Sequence, residues 1–153
     1  MRIIDRGLIF DATNQPASRR FNSFTSTVIL SDGTILVAFR AGSSKDSADE
    51  NILIRRSTDE GKTWETIFEG LEMTVEGVRG AWRHAGIAEL QPGRLIGSFC
   101  WFDRSVPGRP LSNPVTQGTL PSRIFVLESG DGGHTWMDRR EVDTLPFAGI
   151  ATT

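Results

Sequence analysis

The chain has 153 residues and a nearly balanced charge, with 17 Lys and Arg against 19 Asp and Glu. This length predicts one domain, and the charge balance argues against a nucleic-acid partner. No apolar run reaches the roughly 18 residues of a membrane span, so no membrane partner is expected. The first residues, MRIIDRGLIF, lack the apolar core of a signal peptide, which makes a cytoplasmic location the default expectation. The single cysteine, Cys100, excludes an internal disulfide and a cysteine-based metal cluster.

Apolar and β-branched runs predict four strands in the first half of the chain. Residues 25–40 read TSTVILSDGTILVAFR, in which the Asp32-Gly33 pair predicts a two-stranded hairpin. The run NILIRRS (51–57) follows as a third strand, and WETIFEG (64–70) as a fourth. This order of strand, turn, strand, loop, strand, turn and strand is typical of a four-stranded antiparallel meander.

The second half of the chain repeats that order. HAGIAEL (84–90) and RLIGSFCWF (94–102) flank a Gln-Pro-Gly turn and predict a second hairpin. SRIFVLES (122–129) and WMDRREV (136–142) then predict a third and a fourth strand. No stretch keeps a helical period over three turns, so we expect an all-β fold.

One eight-residue pattern, Ser-x-Asp-x-Gly-x-Thr-Trp, occurs between the third and fourth predicted strands of each half, as STDEGKTW and SGDGGHTW. We expect each Asp to accept backbone hydrogen bonds within its turn and each Gly to take a positive φ. Each Trp can pack its ring between neighbouring sheets. A structural role is favoured over a sugar or metal site, because catalytic sites are rarely duplicated within one chain. The residues concerned are Ser57, Asp59, Gly61, Thr63, Trp64, Ser129, Asp131, Gly133, Thr135 and Trp136.

Both turns resemble the Asp-box, or bacterial neuraminidase (BNR) repeat, of the sialidase superfamily. The stretches SDGTILVAF and NILIRRSTDEGKTW also resemble the first blade of bacterial exo-α-sialidases. The resemblance implies part of a six-bladed β-propeller, about two and a half four-stranded antiparallel blades. Residues 1–19 would then form an N-terminal strand that closes the last blade, 20–72 blade 1, 80–143 blade 2, and 145–153 the first strand of blade 3. Open sheet edges in such a segment predict self-association.

Alternating strand directions place the Asp32-Gly33 turn and both repeated turns on one rim, and the other loops on the opposite rim. That opposite rim is rich in arginine, which binds carboxylates in a bidentate manner and so suits an acidic ligand. Polar loops also carry arginines simply as solvated surface, and this alternative is about as strong. The charged residues of these segments include Arg19, Arg20, Arg40, Arg79, Arg83, Arg104, Asp46, Asp49 and Asp103.

The resemblance implies roles for some of these residues. In sialidases this rim binds the substrate carboxylate through three arginines, an Asp is the acid/base, and a Tyr assisted by a Glu is the nucleophile. Alignment on the Arg55-Arg56-Ser57 stretch makes Asp46 the candidate acid/base and Asp49 the alternative. Arg40 resembles the arginine that accompanies this Asp. The further candidate substrate-binding residues are Arg83, Arg20 and Arg104. No cofactor and no metal are implied.

Two departures from the family limit the expected activity. The position of the first triad arginine reads Ser23-Phe24-Thr25, three residues after Arg20, and the chain contains no Tyr. We therefore expect a sialidase-like glycosidase segment with an acidic-sugar carbohydrate ligand, inactive by itself. The alternatives are a non-catalytic carbohydrate-binding or structural Asp-box propeller, and a propeller glycosidase acting on another sugar. Trp82 and Trp101 keep the last alternative open as candidate aromatic platforms, although a place in the core explains each of them more readily.

Overall fold

The computed structural model describes residues 6–144, and its regular structure is almost entirely β. A 3₁₀ turn at Ala17–Arg19 precedes nine strands, and the described part of the chain contains no α-helix, as the sequence predicts. No helix among these residues could cross a membrane. The strands are β1 (Phe21–Ile29), β2 (Ile35–Gly42), β3 (Asn51–Ser57), β4 (Glu65–Phe68), β5 (Thr74–Val75), β6 (Val78–Gln91), β7 (Arg94–Asp103), β8 (Ser122–Ser129) and β9 (Met137–Glu141).

The first sheet is an antiparallel meander in the order β1-β2-β3-β4. Its first turn is the predicted Asp32-Gly33 hairpin, closed by the pairing of Ile29 with Ile35. Gly33 has a φ of 86°, which an L-residue with a side chain adopts only under strain. Strand β3 ends at Ser57, so the first repeated turn connects β3 to β4.

The second sheet has the order β5-β6-β7-β8-β9 and is also antiparallel throughout. The four strands predicted from the second half are present, but β6 begins at Val78, six residues before the predicted start. The two-residue strand β5 was not predicted, because Thr74–Val75 is too short to show a period. Strand β8 ends at Ser129, so the second repeated turn lies before β9, as the first lies before β4.

A hydrophobic core joins the two sheets, because β6 packs against β1, β2 and β3. Leu36 and Ile54 of the first sheet belong to it, and Phe99 of the second sheet contacts the Trp82 ring at 6.5 Å between centroids. Trp82 and Trp101 are buried, and their indole N–H groups donate to backbone carbonyls in the segment before β6. Both tryptophans therefore belong to the core and are not available as sugar platforms.

The opposite face of the first sheet carries a smaller apolar cluster built on Val37, Phe39, Ala41 and Leu53. Part of the N-terminal segment covers it, with the Phe10 ring 5.4 Å from the Phe39 ring. Residues 6–16 form no strand. Residues 1–5 and 145–153, and with them the predicted third-blade strand, lie outside the described residues. The division of the chain into blades and a closing N-terminal strand therefore stays a prediction.

Candidate functional site

The first repeated turn is closed by its own side chains. The Ser57 hydroxyl donates to Asp59 Oδ1 at 2.8 Å and accepts the backbone N–H of Gly61 at 2.9 Å. Asp59 in turn accepts the backbone N–H of Thr63 at 2.9 Å and its hydroxyl at 2.7 Å. The Trp64 indole donates back to the Gly61 carbonyl at 3.0 Å. These bonds lie within eight residues, which supports a structural role for the turn.

The second repeated turn reproduces this network. Ser129 donates to Asp131 Oδ1 at 2.8 Å and accepts from Gly133 N–H at 2.9 Å, while Thr135 donates to both oxygens of Asp131. The Trp136 indole donates to the Gly133 carbonyl at 3.1 Å. Burial would raise the pKa of the Asp131 carboxyl, but the hydrogen bonds from Thr135 and Ser129 outweigh burial and bring that pKa to about 2.

The two turns share their backbone and differ in what they pack against. Gly61 and Gly133 have φ values of 86° and 94°, as the pattern predicts. The Trp136 ring is buried in the core, 5.2 Å from the Phe99 ring. The Trp64 ring is only partly buried and packs against the smaller cluster on the other face of the first sheet. The bonds from Thr63 and then Ser57 bring the pKa of the Asp59 carboxyl to about 2 as well.

The opposite rim holds a group of charged side chains that we call the rim cluster: Arg40, Asp46, Glu50, Arg83 and Arg104. Arg40 lies near the end of β2, Arg83 lies in β6, and Arg104 directly follows β7. The two carboxylates come from the loop that joins β2 to β3. Arg40, Glu50, Arg83 and Arg104 are buried, whereas the Asp46 side chain is 32% exposed. Strands of both sheets therefore converge on one partly exposed carboxylate.

Arg83 is the central cation of the rim cluster. Its Nη2 donates to Asp46 Oδ1 at 2.6 Å, and its Nη1 donates to Glu50 Oε2 at 2.7 Å. Arg40 Nη1 lies 3.7 Å from Asp46 Oδ1 and 3.3 Å from Glu50 Oε1. Arg104 donates through Nη2 to the Asp46 backbone carbonyl at 2.8 Å. Asp46 is thus fixed through its side chain and its backbone at once.

Three buried atoms of the rim cluster make no hydrogen bond: Arg40 Nη1, Glu50 Oε1 and Arg104 Nε. Arg40 Nη1 and Glu50 Oε1 form an ion pair whose geometry does not qualify as a hydrogen bond. The remaining guanidinium nitrogens of Arg40 donate to Ser23 Oγ at 3.1 and 2.8 Å. Burial raises the pKa of Glu50, and the charges of Arg83 and Arg40 oppose that rise. Incompletely satisfied buried charges of this kind are rare in folded proteins and are found at functional sites.

Asp46 has the electrostatic environment of a stabilised anion. Burial alone would raise its pKa, but the hydrogen bond and the charge of Arg83, followed by the charge of Arg40, hold that pKa below its ordinary value. Its backbone φ is 65°, a left-handed conformation that costs free energy for a residue other than glycine. Backbone strain of this kind is concentrated at functional positions.

The other candidates are placed differently. Asp49 Oδ1 accepts the backbone N–H and the hydroxyl of Ser43, each at 3.0 Å, so this carboxylate stabilises its own loop. Arg20 is exposed, and its Nε donates to the Gln15 carbonyl at 2.8 Å, which does not connect it to the rim cluster. Substrate binding by Arg20 therefore stays a prediction without support from these contacts. Among residues 6–144, no group of three or more His, Cys, Asp and Glu side chains could hold a metal ion.

Glu50 was missed by the sequence analysis. It directly precedes β3, which begins at Asn51 and contains the buried run Ile52 to Ile54, and it follows Asp49, from which no sequence pattern distinguishes it. Its importance appears only in three dimensions, where it lies between Arg40 and Arg83. A charged residue directly before a strand with a continuous apolar run, Ile52 to Ile54, is the one signal that could have drawn attention to it.

Several solved structures with this fold are, by their names, enzymes that act on carbohydrates. A Hadza microbial sialidase, Hz136, matches at 17% identity and a TM-score of 0.58, over 81% of this chain and 26% of that one. The GH93 α-L-arabinofuranosidase of Fusarium graminearum, solved with arabinobiose, matches at 23% identity and a TM-score of 0.55, over 80% and 32%. A PL25 ulvan lyase matches at 14% identity and a TM-score of 0.53, over 82% and 28%.

These likenesses define the class of fold. The chain is an all-β, partial β-propeller with the fold of propeller glycosidases and lyases. It spans about a quarter to a third of the length of those solved structures. No protein-family model matches the sequence, and no curated protein matches it. These neighbours act on different sugars, so the fold does not identify the sugar, and the ligand has to be inferred from the site.

Proposed function

We propose that this chain supplies the acid/base and anion-binding side of a sialidase-like glycoside hydrolase, which removes a terminal acidic sugar of the α-linked sialic acid type. One observation carries the proposal: the partly exposed carboxylate of Asp46 is held by two buried guanidinium groups, those of Arg83 and Arg40. It lies on the rim opposite the two self-contained turns. The sialidase among the structural neighbours supports a carbohydrate ligand.

The charge of the rim cluster favours an anionic ligand over a neutral one. Three guanidinium groups face two carboxylates, which leaves one positive charge if both carboxylates are ionised. Arg40 Nη1 also keeps a hydrogen-bond donor that no protein atom accepts. A sugar carboxylate beside Asp46 would balance the charge, and because Arg40 is only 1% exposed, a hydrogen bond from its Nη1 to the ligand requires the covering side chains to move.

An acidic sugar would also help Asp46 to act as a proton donor. A general acid must carry a proton at working pH, and the pKa of Asp46 is held low by Arg83 and Arg40. A ligand carboxylate placed beside these arginines offsets their charge and so raises the pKa of Asp46. We expect the rise to be seen by ¹³C NMR titration of Asp46 in the presence of N-acetylneuraminic acid, and not in the presence of its methyl ester.

The proposal is tested by comparing the affinity for N-acetylneuraminic acid with that for its methyl ester, using the 153-residue chain and NMR titration. The acid should bind more tightly. Arg83→Lys and Arg40→Lys should reduce the difference, because lysine keeps the charge but loses the fork. Arg140→Lys is the matched control, since Arg140 is exposed and pairs with Glu128 away from the rim cluster. Equal affinities for acid and ester would overturn the acidic-sugar proposal.

A non-catalytic carbohydrate-binding propeller is the second candidate, and it fits the fold about equally well. The absence of Tyr from the sequence and the lowered pKa of Asp46 favour it. Binding of N-acetylneuraminic acid with no rise in the pKa of Asp46 would support this candidate. A propeller glycosidase acting on another sugar would instead bind methyl α-L-arabinofuranoside and ignore the charge of the ligand.

We expect the 153-residue chain to show no sialidase turnover. A general acid contributes typically about 10²–10⁴-fold to a rate, and a retaining mechanism also needs a nucleophile. That nucleophile is a Tyr in sialidases, and this sequence has none. Release of a fluorogenic aglycone by the monodisperse chain would contradict the expectation. The predicted self-association through sheet edges is checked on the same sample by size-exclusion chromatography.

A further inference from the structure

Phe24 is exposed and strained at the same time. Its side chain is 51% accessible, and its backbone φ is 56°. A positive φ is a conformational outlier for a bulky residue. Strand β1 shifts its register against β2 between Ser23 and Ser26, so Phe24 occupies the irregular position. Such bulges re-aim side chains and recur beside active sites.

The ring of Phe24 rests on the rim cluster. The guanidinium carbon of Arg40 lies 4.6 Å from the ring centroid, within cation–π range. Ser23 Oγ and the charge of Glu50 hold that guanidinium in place from its other edges. One side of the aromatic ring is therefore supported, while half of the side chain remains in contact with solvent.

A second irregularity, on the facing strand, brings His84 to the same place. Strand β6 shifts its register between Trp82 and His84, and the His84 ring lies 4.6 Å from the Phe24 ring at an angle of 65°. Burial, then the charges of Arg83 and Arg40, lower the pKa of His84, so its ring is neutral near pH 7. The bulges in β1 and β6 thus place an aromatic face and a neutral imidazole beside Arg40.

We propose that Phe24 is a sugar-stacking residue, whose solvent-facing side packs against the C–H face of a sugar ring that lies beside Asp46. The inference rests on the proposed carbohydrate function and adds a contact that determines affinity. Asp46 and Phe24 both contact Arg40, so one ligand can reach them together. Sugar-binding sites combine apolar aromatic surface with a few polar groups that fix orientation. A rigid aromatic side chain loses little conformational entropy on binding.

A purely structural role does not account for these features. Exposure alone does not distinguish Phe24, because Ile29 on the same strand is more exposed; Phe24 differs in combining exposure with a positive φ and with a ring placed on the Arg40 guanidinium. Phe21, on the same strand, lies farther from Arg40, at 6.0 Å, and is less exposed. Backbone strain persists in proteins where the strained conformation has a function, and the positive φ of Phe24 directs its ring onto the Arg40 guanidinium.

The test is saturation-transfer and titration NMR on the 153-residue chain, with N-acetylneuraminic acid and methyl α-L-arabinofuranoside as the two probes. Stacking should shift ring protons of the bound sugar upfield. Phe24→Leu should abolish that shift and weaken binding about tenfold, because it keeps an apolar side chain but removes the ring. Phe24→Trp should retain the shift and bind at least as tightly. Ile29→Ala is the control, since Ile29 is an exposed apolar residue near the other end of β1.

The outcomes separate this inference from the proposed function. Binding that is unchanged in Phe24→Leu overturns the stacking role alone. Binding of the arabinofuranoside but not of N-acetylneuraminic acid, with loss in Phe24→Leu, overturns the acidic-sugar proposal and supports the stacking role. Absence of binding by both probes overturns both. If Phe24→Leu does not fold, a missing upfield shift in Phe24→Trp overturns the stacking role.

Discussion

The two rims of the sheets hold polar groups in opposite ways. On the rim of the repeated turns, the Ser, Asp and Thr side chains satisfy one another within eight residues. On the other rim, the charges of the rim cluster come from β2, β6, the end of β7 and one loop, and Arg40 Nη1, Glu50 Oε1 and Arg104 Nε remain without a hydrogen bond. A hydrogen-bond network whose polar groups are all paired locally has no donor or acceptor left for a ligand, whereas a network with unpaired groups does.

The largest expected effect comes from removing the buried carboxylate of the rim cluster. Glu50→Ala removes the buried one of the two carboxylates that Arg40 and Arg83 share and leaves only the partly exposed Asp46, so we expect a loss of about 3–5 kcal/mol in unfolding free energy. Urea denaturation measures it. Glu65→Ala is the control, because Glu65 pairs with Arg56 in solvent and such pairs contribute at most about 1 kcal/mol. Equal effects of the two substitutions would remove the contrast between the rims.

The next effect concerns the serine of the second repeated turn. Ser129→Ala leaves the buried N–H of Gly133 without an acceptor, and we expect a loss of about 1–3 kcal/mol. Thr58→Ala, at an exposed variable position of the first turn, should change stability little. Sugar affinity should be unaffected by Ser129→Ala at a temperature where the protein is folded. A selective loss of affinity in a folded variant would show that the turn is part of the binding site.

A smaller effect should distinguish the two turns from each other. Glu60 of the first turn has a φ of 61°, and the equivalent residue of the second turn is Gly132, with a φ of 71°. Glu60→Gly should raise stability by about 0.5 kcal/mol, since relief of backbone strain outweighs the added freedom of the unfolded chain. Gly132→Glu should lower stability by a similar amount. Thermal unfolding measures both, and changes of the same sign would contradict the shared geometry.

The smallest expected effect is a pH dependence of the repeated turns. Asp59 and Asp131 have pKa values of about 2 in the folded chain, below their ordinary value of 3.8. A depressed folded pKa stabilises the fold above the unfolded pKa, so this contribution is lost as the pH falls from about 4 to about 2. Both carboxylates are accessible to solvent, which screens their charges and keeps the effect small. Asp131→Asn should flatten the decline in melting temperature over this range, and an unchanged slope would contradict the assignment.

The sequence could predict the features that depend on residues close together in the chain, and it could not predict those that depend on distant residues. The repeated turns were predictable because every participant lies within eight residues, and Gly61 and Gly133 have the positive φ that the pattern demands. The hairpin at Asp32-Gly33 was predictable for the same reason. Strand β5 was not, since it exists only through its pairing with β6.

The rim cluster could be predicted only in part. The resemblance singled out Asp46 and Arg40, and the contacts bring both together with Arg83. It gave no hint of Glu50, whose partners are 10 positions before it and 33 positions after it in the chain. Nor did alternation predict the positive φ of Phe24, because a bulge breaks the period on which such reasoning depends. Residues that meet through tertiary packing leave no local pattern.

The closed hydrogen-bond network of the repeated turns has an evolutionary consequence. A unit whose polar groups satisfy one another needs from its surroundings only two strands to connect and an apolar surface for one indole ring. The Trp136 ring packs against such a surface between the sheets, and the Trp64 ring packs against one on the other face of the first sheet. Gene duplication could therefore copy the turn from one blade to the next without compensating substitutions elsewhere, and its variable positions could then diverge freely.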